Sequence, residues 1–309
     1  MRVFSKEMDM VGDKALFVIL KSRGLLTVGG KDRVEFLQGL VSNDVRHVSD
    51  ARCIWAALLT PQGKYLHDFF ISENDDKFFL DCEADRLVDL GQRLSRYKLR
   101  ANVDLGMSEK QSVAVVFGND VADGLGLGDE VGATKTIDGA IFYKDPRLSA
   151  LGLRAILDDT KAGEILTNRG FKEGTLDDYE RWRLEAGVPD GSRDMIVEKS
   201  ILLESNFDEL NGIDWDKGCF MGQELTARTK YRGLIKKRLV PVRIEGEPPV
   251  PGADILFDGK NAGEMRTSCG RAGIALLRLE HLERALAGEG SLSVEGRIIL
   301  PRKPDWADF

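Results

Sequence analysis

The chain has 309 residues and a mass of 34.3 kDa, too long for one small core; at ~100–200 residues per domain it points to two or three. Its 42% hydrophobic and 31% charged residues can bury a sizeable interior, which excludes a disordered chain. Forty-four basic against 51 acidic side chains leave a net charge of −7, which argues against a general nucleic-acid coat or a membrane-surface protein.

The first residues, Met1 to Met10, mix acids and bases with no apolar stretch, so they do not read as a secretory signal. No apolar run approaches the ~18–20 residues of a membrane span, and a cytoplasmic location is expected. Short apolar or alternating runs bounded by Gly, Pro, Asp or Asn predict strands at Ala15–Leu20, Leu25–Val28, Ile54–Thr60, Tyr65–Ser72, Lys77–Asp81, Val113–Phe117 and Leu151–Leu157. Between them a three–four spacing predicts helices over Lys31–Val41 and Glu83–Tyr97. A third helix, Leu176–Ala186, opens after Thr175 with Asp177 and Asp178 in its first turn and stops at Gly187, with Pro189 beyond. After Lys237 close-set strands follow at Arg238–Ile244, Asp254–Phe257, Ala262–Thr267, Ile274–Arg278, Leu292–Val294 and Arg297–Leu300, with one helical stretch near His281–Ala287. That texture predicts a small C-terminal β-barrel on an α+β body. The body is assigned to residues 1–238 and the barrel to 239–309.

Four widely separated cysteines (Cys53, Cys82, Cys219 and Cys269) without a CxxC pair, and three histidines in no ligand spacing, give neither a disulfide framework nor a resident metal site. Gly124, Gly126 and Gly128 follow the strand Val113–Phe117, but no helical periodicity comes after them, so they read as a loop rather than a dinucleotide fingerprint. The densest feature is Lys217-Gly218-Cys219-Phe220-Met221-Gly222-Gln223-Glu224. A run from Thr226 to Arg243 follows, holding Arg228, Lys230, Arg232, Lys236, Lys237, Arg238 and Arg243 and no acid. Such a run is either a solvated basic edge or a local positive field. Cys219 precedes a helix expected from Gln223 and adjoins Lys217, a setting that favours thiolate; the alternative is a small buried hydrophobe. Glu185 sits where the helix dipole disfavours a carboxylate, as a specific contact or an exposed partner of Arg181. In Gly63–Ile71, Asp68 shares a strand face with Leu66 and Phe70, so it is either a desolvated proton-handling acid or a backbone-bonded one. Asn43-Asp44 closes the first helix.

The motifs together resemble a known family. Phe36-Leu37-Gln38-Gly39-Leu40-Val41-Ser42-Asn43-Asp44-Val45, Thr60-Pro61-Gln62-Gly63-Lys64 through Asp68, Asp145-Pro146-Arg147, Arg183 to Gly191 and Lys217 to Glu224 look like the motifs of the YgfZ-type folate-binding proteins, in order. That family is similar in fold to the glycine-cleavage T-protein, an aminomethyltransferase using tetrahydrofolate. The resemblance implies two α+β (ferredoxin-like) lobes forming a ring-like folate-binding body, plus the C-terminal β-barrel. It implies a tetrahydrofolate-binding accessory role in iron–sulfur cluster assembly or repair, with Cys219 and Asp68 as the catalytic candidates. The expected cofactor set is Asn43, Asp68, Tyr97, Glu185, Lys217, Gln223, Arg228 and Arg232, with Glu185 on the pterin ring and the basic run on an acidic folate tail. Expected partners are a folate, iron–sulfur assembly proteins or their clients, and neither membrane nor nucleic acid. Two other functions fit less of the chain: a T-protein-like aminomethyltransferase, against which stand His67-Asp68, Gln223 and Cys219, and a tRNA-modification factor using the basic run. Whether any chemical step is catalysed is left open at this stage.

Overall fold

The computed structural model describes residues 15–119, 121 and 125–309; the amino-terminal stretch weighed above as a signal, and Gly124, lie outside them. The strands in chain order are β1 (Leu16–Ile19), β2 (Arg23–Gly29), β3 (Ile54–Leu59), β4 (Tyr65–Asn74), β5 (Lys77–Glu83), β6 (Asp104–Ser108), β7 (Gln111–Phe117), β8 (Thr134–Ile137) and β9 (Ala140–Lys144). They continue as β10 (Leu153–Asp158), β11 (Lys172–Glu173), β12 (Lys237–Ile244), β13 (Asp254–Phe257), β14 (Lys260–Cys269), β15 (Ala272–Arg278), β16 (Leu292–Val294) and β17 (Arg297–Pro301). The helices are α1 (Arg33–Gln38), α2 (Leu87–Lys98), α3 (Ala162–Asn168), α4 (Leu176–Ala186), α5 (Gly191–Asp194), α6 (Gln223–Tyr231) and α7 (Leu279–Leu286).

The chain forms two compact units. One comprises the residues up to Gln38, Asp44–Ala56 and Phe69–Tyr179; the other comprises Gly39–Asn43, Ala57–Asp68 and Glu180–Phe309. In the first unit, β7 lies between β1 and β10 in a six-stranded sheet of order β11-β1-β7-β10-β9-β8. Its unbroken run Val113–Phe117 is buried throughout, as expected of a central strand covered on both faces. Phe17, Val116, Phe142, Leu153, Leu157 and Leu166 pack into one core there. The second sheet has the order β3-β4-β5-β2-β6, with β6 at its edge. A buried ionic cluster ties the first unit together. The Asp81 carboxylate accepts from Arg23 Nε at 2.7 Å, from Arg154 Nη2 at 2.6 Å and from the Tyr143 hydroxyl at 3.2 Å. Burial alone would push the Asp81 carboxyl up, but the two guanidiniums outweigh it and hold it below the usual range.

The second unit carries the barrel. Strands β12-β15-β14-β13-β16-β17 close on themselves, which leaves no free edge. Alternate residues Val240, Val242, Ile244, Ile255, Phe257, Val294 and Ile299 fill the interior, with Leu282 of α7 packed on the same core. All six strands expected after Lys237 are present, so the α+β body with a C-terminal barrel holds. The first helix is shorter than its periodicity suggested, ending at Gln38 rather than Val41. The Gln38 side chain accepts from the Val45 amide at 2.9 Å, while Val41 bridges to Leu58 instead of continuing the turn. Strands β6, β8 and β9 and helix α3 were not read from the sequence.

A candidate site around Cys219

The second unit is built around one clamped strip, Gly39–Asn43. Ser42 is its hub. Its amide donates to Ala57 O at 2.9 Å and its hydroxyl donates to Gly212 O at 2.6 Å while accepting from Ala57 N. Asn43 Nδ2 donates to Asn211 O at 2.8 Å, and Asp214 N donates to Ser42 O. The Lys217 ammonium is buried and donates to two main-chain carbonyls, Asn43 O at 2.7 Å and Val41 O. Met221 N closes the strip by donating to Gly39 O. A helix-closing turn at Asn43-Asp44 is therefore not what this segment makes: Asn43 belongs to the clamp, and Asp44 caps a short 3₁₀ turn, Val45–His47, through the Arg46 amide.

The cysteine loop is held from the other side by the β3–β4 turn. Thr60 N donates to Lys64 O and Gly63 N to Thr60 O, both at 2.8 Å. Gly63 and Gly222 both have positive φ (78° and 80°) and lie against each other. A Cβ on Gly222 would come within 2.4 Å of Thr60 O, and one on Gly63 within 2.7 Å of Gly222 O. Only glycine fits that approach. Gln223 folds back on the loop, its Oε1 accepting from Phe220 N at 3.2 Å while its own amide donates to Phe220 O. Lys217 and Gln223, expected at a cofactor, are in this structure the fasteners of the loop. Cys219 lies at the loop's open side and is exposed, whereas Cys53 and Cys82 are buried.

Glu185 is half-buried near the C-terminal end of α4. The carbonyls at that end are met by the Arg302 guanidinium on Glu185 O and by Trp306 Nε1 on Ala186 O at 2.8 Å, which satisfies groups a helix end leaves open. Gly187, at φ 75°, lets Pro241 and Pro304 approach closely. Asp68 is buried, with Oδ1 accepting from the Tyr65 hydroxyl at 2.7 Å. Arg228 and Arg232 are exposed on and just after α6. Neither side chain has a hydrogen bond or ion pair among the described residues. Tyr97 belongs to the first unit, exposed on α2. The basic run is less uniform than its sequence: Arg238 is buried and forks onto Asp208 at 2.6 and 2.9 Å, and Lys230 lies 3.7 Å above the Trp215 ring.

An ionic network under α4 escaped the sequence reading. Arg183, wholly buried, donates to Asp194 Oδ2 at 2.8 Å, Val188 O at 3.0 Å and Glu180 Oε2 at 2.9 Å. Glu180 also receives a fork from Arg193, and Asp194 accepts from Thr267 N of β14. Burial pushes the Glu180 carboxyl up, but Arg183 and Arg193 together hold it below its ordinary value. The carboxylates of Asp194, Glu180 and Asp190 raise the Arg183 guanidinium against its own desolvation. The signal available was the i,i+3 pair Glu180–Arg183. Nearby, burial raises the Glu204 carboxyl against the pull of Lys237 and Lys64.

Comparison with known proteins places this geometry. Residues 236–309 match the family model "CAF17, C-terminal beta-barrel domain". The chain is 34% identical to the mitochondrial iron–sulfur cluster assembly factor IBA57 homolog of Neurospora crassa, over 96% of this chain and 65% of that one. It is 32% and 33% identical to the mitochondrial IBA57 proteins of Mus musculus and Homo sapiens, over 93% of this chain and 84% of each. Among solved structures it is similar to the glycine cleavage system aminomethyltransferase T from Bartonella henselae (TM-score 0.74, 14% identity, covering 96% of this chain and 87% of that one). That likeness establishes the fold, an aminomethyltransferase-T body with a closed six-stranded C-terminal barrel. The relatives are mitochondrial proteins, which overturns the cytoplasmic location expected from the sequence.

Proposed function

The chain belongs to the family of the iron–sulfur cluster assembly factor IBA57, and on that premise we propose that it serves iron–sulfur cluster assembly with the Cys219 thiol as its reactive group. The YgfZ-type likeness of the motifs narrows to this family. The observation that carries the reading is the contrast within one loop. Lys217, Gly218, Gly222 and Gln223 serve the backbone, while Cys219 stands exposed on the scaffold they make. A soft sulfur on an accessible, hydrogen-bonded loop suits a ligand or acceptor for an iron or sulfur species handed over by a partner.

A reduced folate is the ligand whose chemistry fits the remaining groups. A carboxylate at Glu185 can accept paired hydrogen bonds from the amino-pyrimidinone edge of a pteridine. The uncommitted guanidiniums of Arg228 and Arg232 suit the carboxylates of its glutamate tail. A bound reduced folate would supply a one-carbon carrier; the residues named here bind and orient it. Asp68, buried and accepting from the Tyr65 hydroxyl, is the acid this reading assigns to proton handling beside the folate.

Two measurements test it. In cells lacking their own IBA57, the wild-type chain is expected to restore iron–sulfur enzyme activities and Cys219→Ser to fail; full restoration by Cys219→Ser would remove the thiol from the function. In a tryptophan-fluorescence titration with tetrahydrofolate, Glu185→Ala is expected to weaken binding by about 1.5–3 kcal/mol, the scale of a charge-assisted hydrogen bond, or roughly ten- to a hundredfold. Equal affinity would take Glu185 out of the site.

A further inference from the structure

A surface cleft apart from the Cys219 loop lies in the first unit, between α2 and the edge strand β6. An open cleft of about 440 Å³ runs there, lined by Leu26, Val88, Gly91, Arg96, Gly106 and Met107. At one of its lining residues, Gly91, a side chain would narrow it. Gly91 is in mid-helix, its Cβ position 3.3 Å from Leu26. Glycine in a helix interior costs about 0.5–1 kcal/mol relative to alanine, so the opening is kept against local preference.

Three further features share this face. Met107 and Val88 are mostly exposed beside the cleft, and Leu99, at the end of α2, is 88% exposed. Leu99 also has a φ of 44°, a conformation that is costly for a bulky side chain. Strand β6 pairs with β2 on one side only, so its other edge is unpaired among the described residues; such an edge templates the addition of another strand. Arg96, Lys98 and Arg100 follow one another along the end of α2. None of their side chains has an ion pair or hydrogen bond among the described residues, in a chain of net charge −7. The acid on the same helix, Asp89, is already taken by Arg93 and Arg86.

We propose that this face docks an extended acidic–apolar segment of a partner protein, added as a strand to β6, with an apolar side chain in the cleft and carboxylates on Arg96 and its neighbours. Strand addition supplies main-chain affinity, and alternate side chains supply selectivity. Charge decides the occupant: a second copy of this chain would set Arg96, Lys98 and Arg100 against themselves, whereas an acidic segment neutralises them. The proposal is independent of Cys219.

The test uses the full chain, isotopically labelled for amide NMR, with seven-residue peptides alternating valine with glutamate, lysine or serine. The glutamate peptide is expected to bind at submillimolar concentration, shift the amides of β6 and the last two turns of α2, and slow hydrogen exchange in β6. Arg96→Glu, a surface change, is expected to weaken the glutamate peptide at least tenfold and strengthen the lysine one; Met107→Asp should weaken both. No shifts at millimolar peptide, equal binding of all three peptides, shifts confined to another surface, or an unchanged affinity in Arg96→Glu would each overturn it. So would concentration-dependent dimerisation abolished by Met107→Asp, because the face would then belong to a second copy.

Discussion

Replacing Lys217 by methionine separates a fastener from a ligand contact. Methionine keeps an apolar stem of similar length but removes the ammonium that bonds Val41 O and Asn43 O and lies 5.2 Å from the centre of the Phe220 ring. Each hydrogen bond from a charged donor contributes about 1.5–3 kcal/mol, and a buried carbonyl left without a partner costs about 1–3 kcal/mol. Against this, the variant no longer has to desolvate an ammonium, which returns several kcal/mol in the opposite direction. The balance is a destabilisation of about 2–4 kcal/mol. With an unfolding entropy of about 2.1 cal/mol/K per residue, a chain of 309 residues melting as a whole would lose about 3–6 °C in Tm, and a unit melting alone would lose more. Calorimetry reads that shift. Maleimide labelling of Cys219 reads the loop, and freeing Gly39–Asn43 from Lys217 should change its rate severalfold. A Tm within about 1 °C of wild type together with an unchanged labelling rate would refute the clamp and return Lys217 to the role of a ligand contact.

The other expectations concern the same unit. Glu180→Gln should cost about 3–5 kcal/mol, because it strips a carboxylate from the buried Arg183. The Glu180 carboxyl is held below its ordinary value in the fold, so its contribution is present above the ordinary pKa and is lost as pH falls through the lowered one. Thermal melts between pH 6 and 3 should therefore drop more steeply for wild type than for the variant, and parallel curves would remove the ion pair from the account. Gly222→Ala, with its Cβ 2.4 Å from Thr60 O, should destabilise by 2 kcal/mol or more, while Gly218→Ala, with nothing within 4 Å of its Cβ, should cost only the ~1–2 kcal/mol of left-handed backbone; urea melts that rank them the other way would contradict the close approach. Maleimide should modify exposed Cys219 first, then half-buried Cys269, and reach Cys53 and Cys82 only on unfolding, since burial also pushes the Cys53 thiol well up. Mass mapping of the labelled peptides shows the order.

Much of the architecture was legible because burial here follows simple periods. Val113–Phe117 and the alternating barrel strands declare themselves, and α4 announces both its ends. What stayed hidden is of two kinds. Strands β6 and β8 are short and half-exposed, rich in Asp, Gly, Ser, Thr and Lys, so neither alternation nor hydrophobicity marks them; their pairing with β2 and β9 defines them. The buried ion clusters at Asp81 and Arg183 join residues up to 73 positions apart, and no local spacing reveals such partners. Site residues were legible as types rather than as roles. The motif from Lys217 to Glu224 stands out in the sequence, yet nothing in it says that its lysine and glutamine bond the backbone around the loop. For Arg238 the sequence misled, because its partner Asp208 lies outside the acid-free run.

The division of labour inside that motif bears on what the loop is for. A loop needed only to join Trp215 to α6 could be short and polar. This one holds two residues at positive φ, draws a lysine into the interior and folds a glutamine back on its own turn, each at a conformational or desolvation cost. Those costs produce no burial of the cysteine, which ends exposed while two others in the chain are buried as small hydrophobes are. They do tie down the backbone that carries the thiol, and a thiol on a tied backbone forfeits less entropy when it meets a metal or a sulfur donor. The guanidiniums of Arg228, on the next helix, and of Arg232, just after it, have no side-chain partner among the described residues, which supports the acidic carrier proposed above. Loosening the loop without touching Cys219, as Lys217→Met does, should therefore lower function as well as Tm, whereas a thiol that served only as surface would leave function following stability alone.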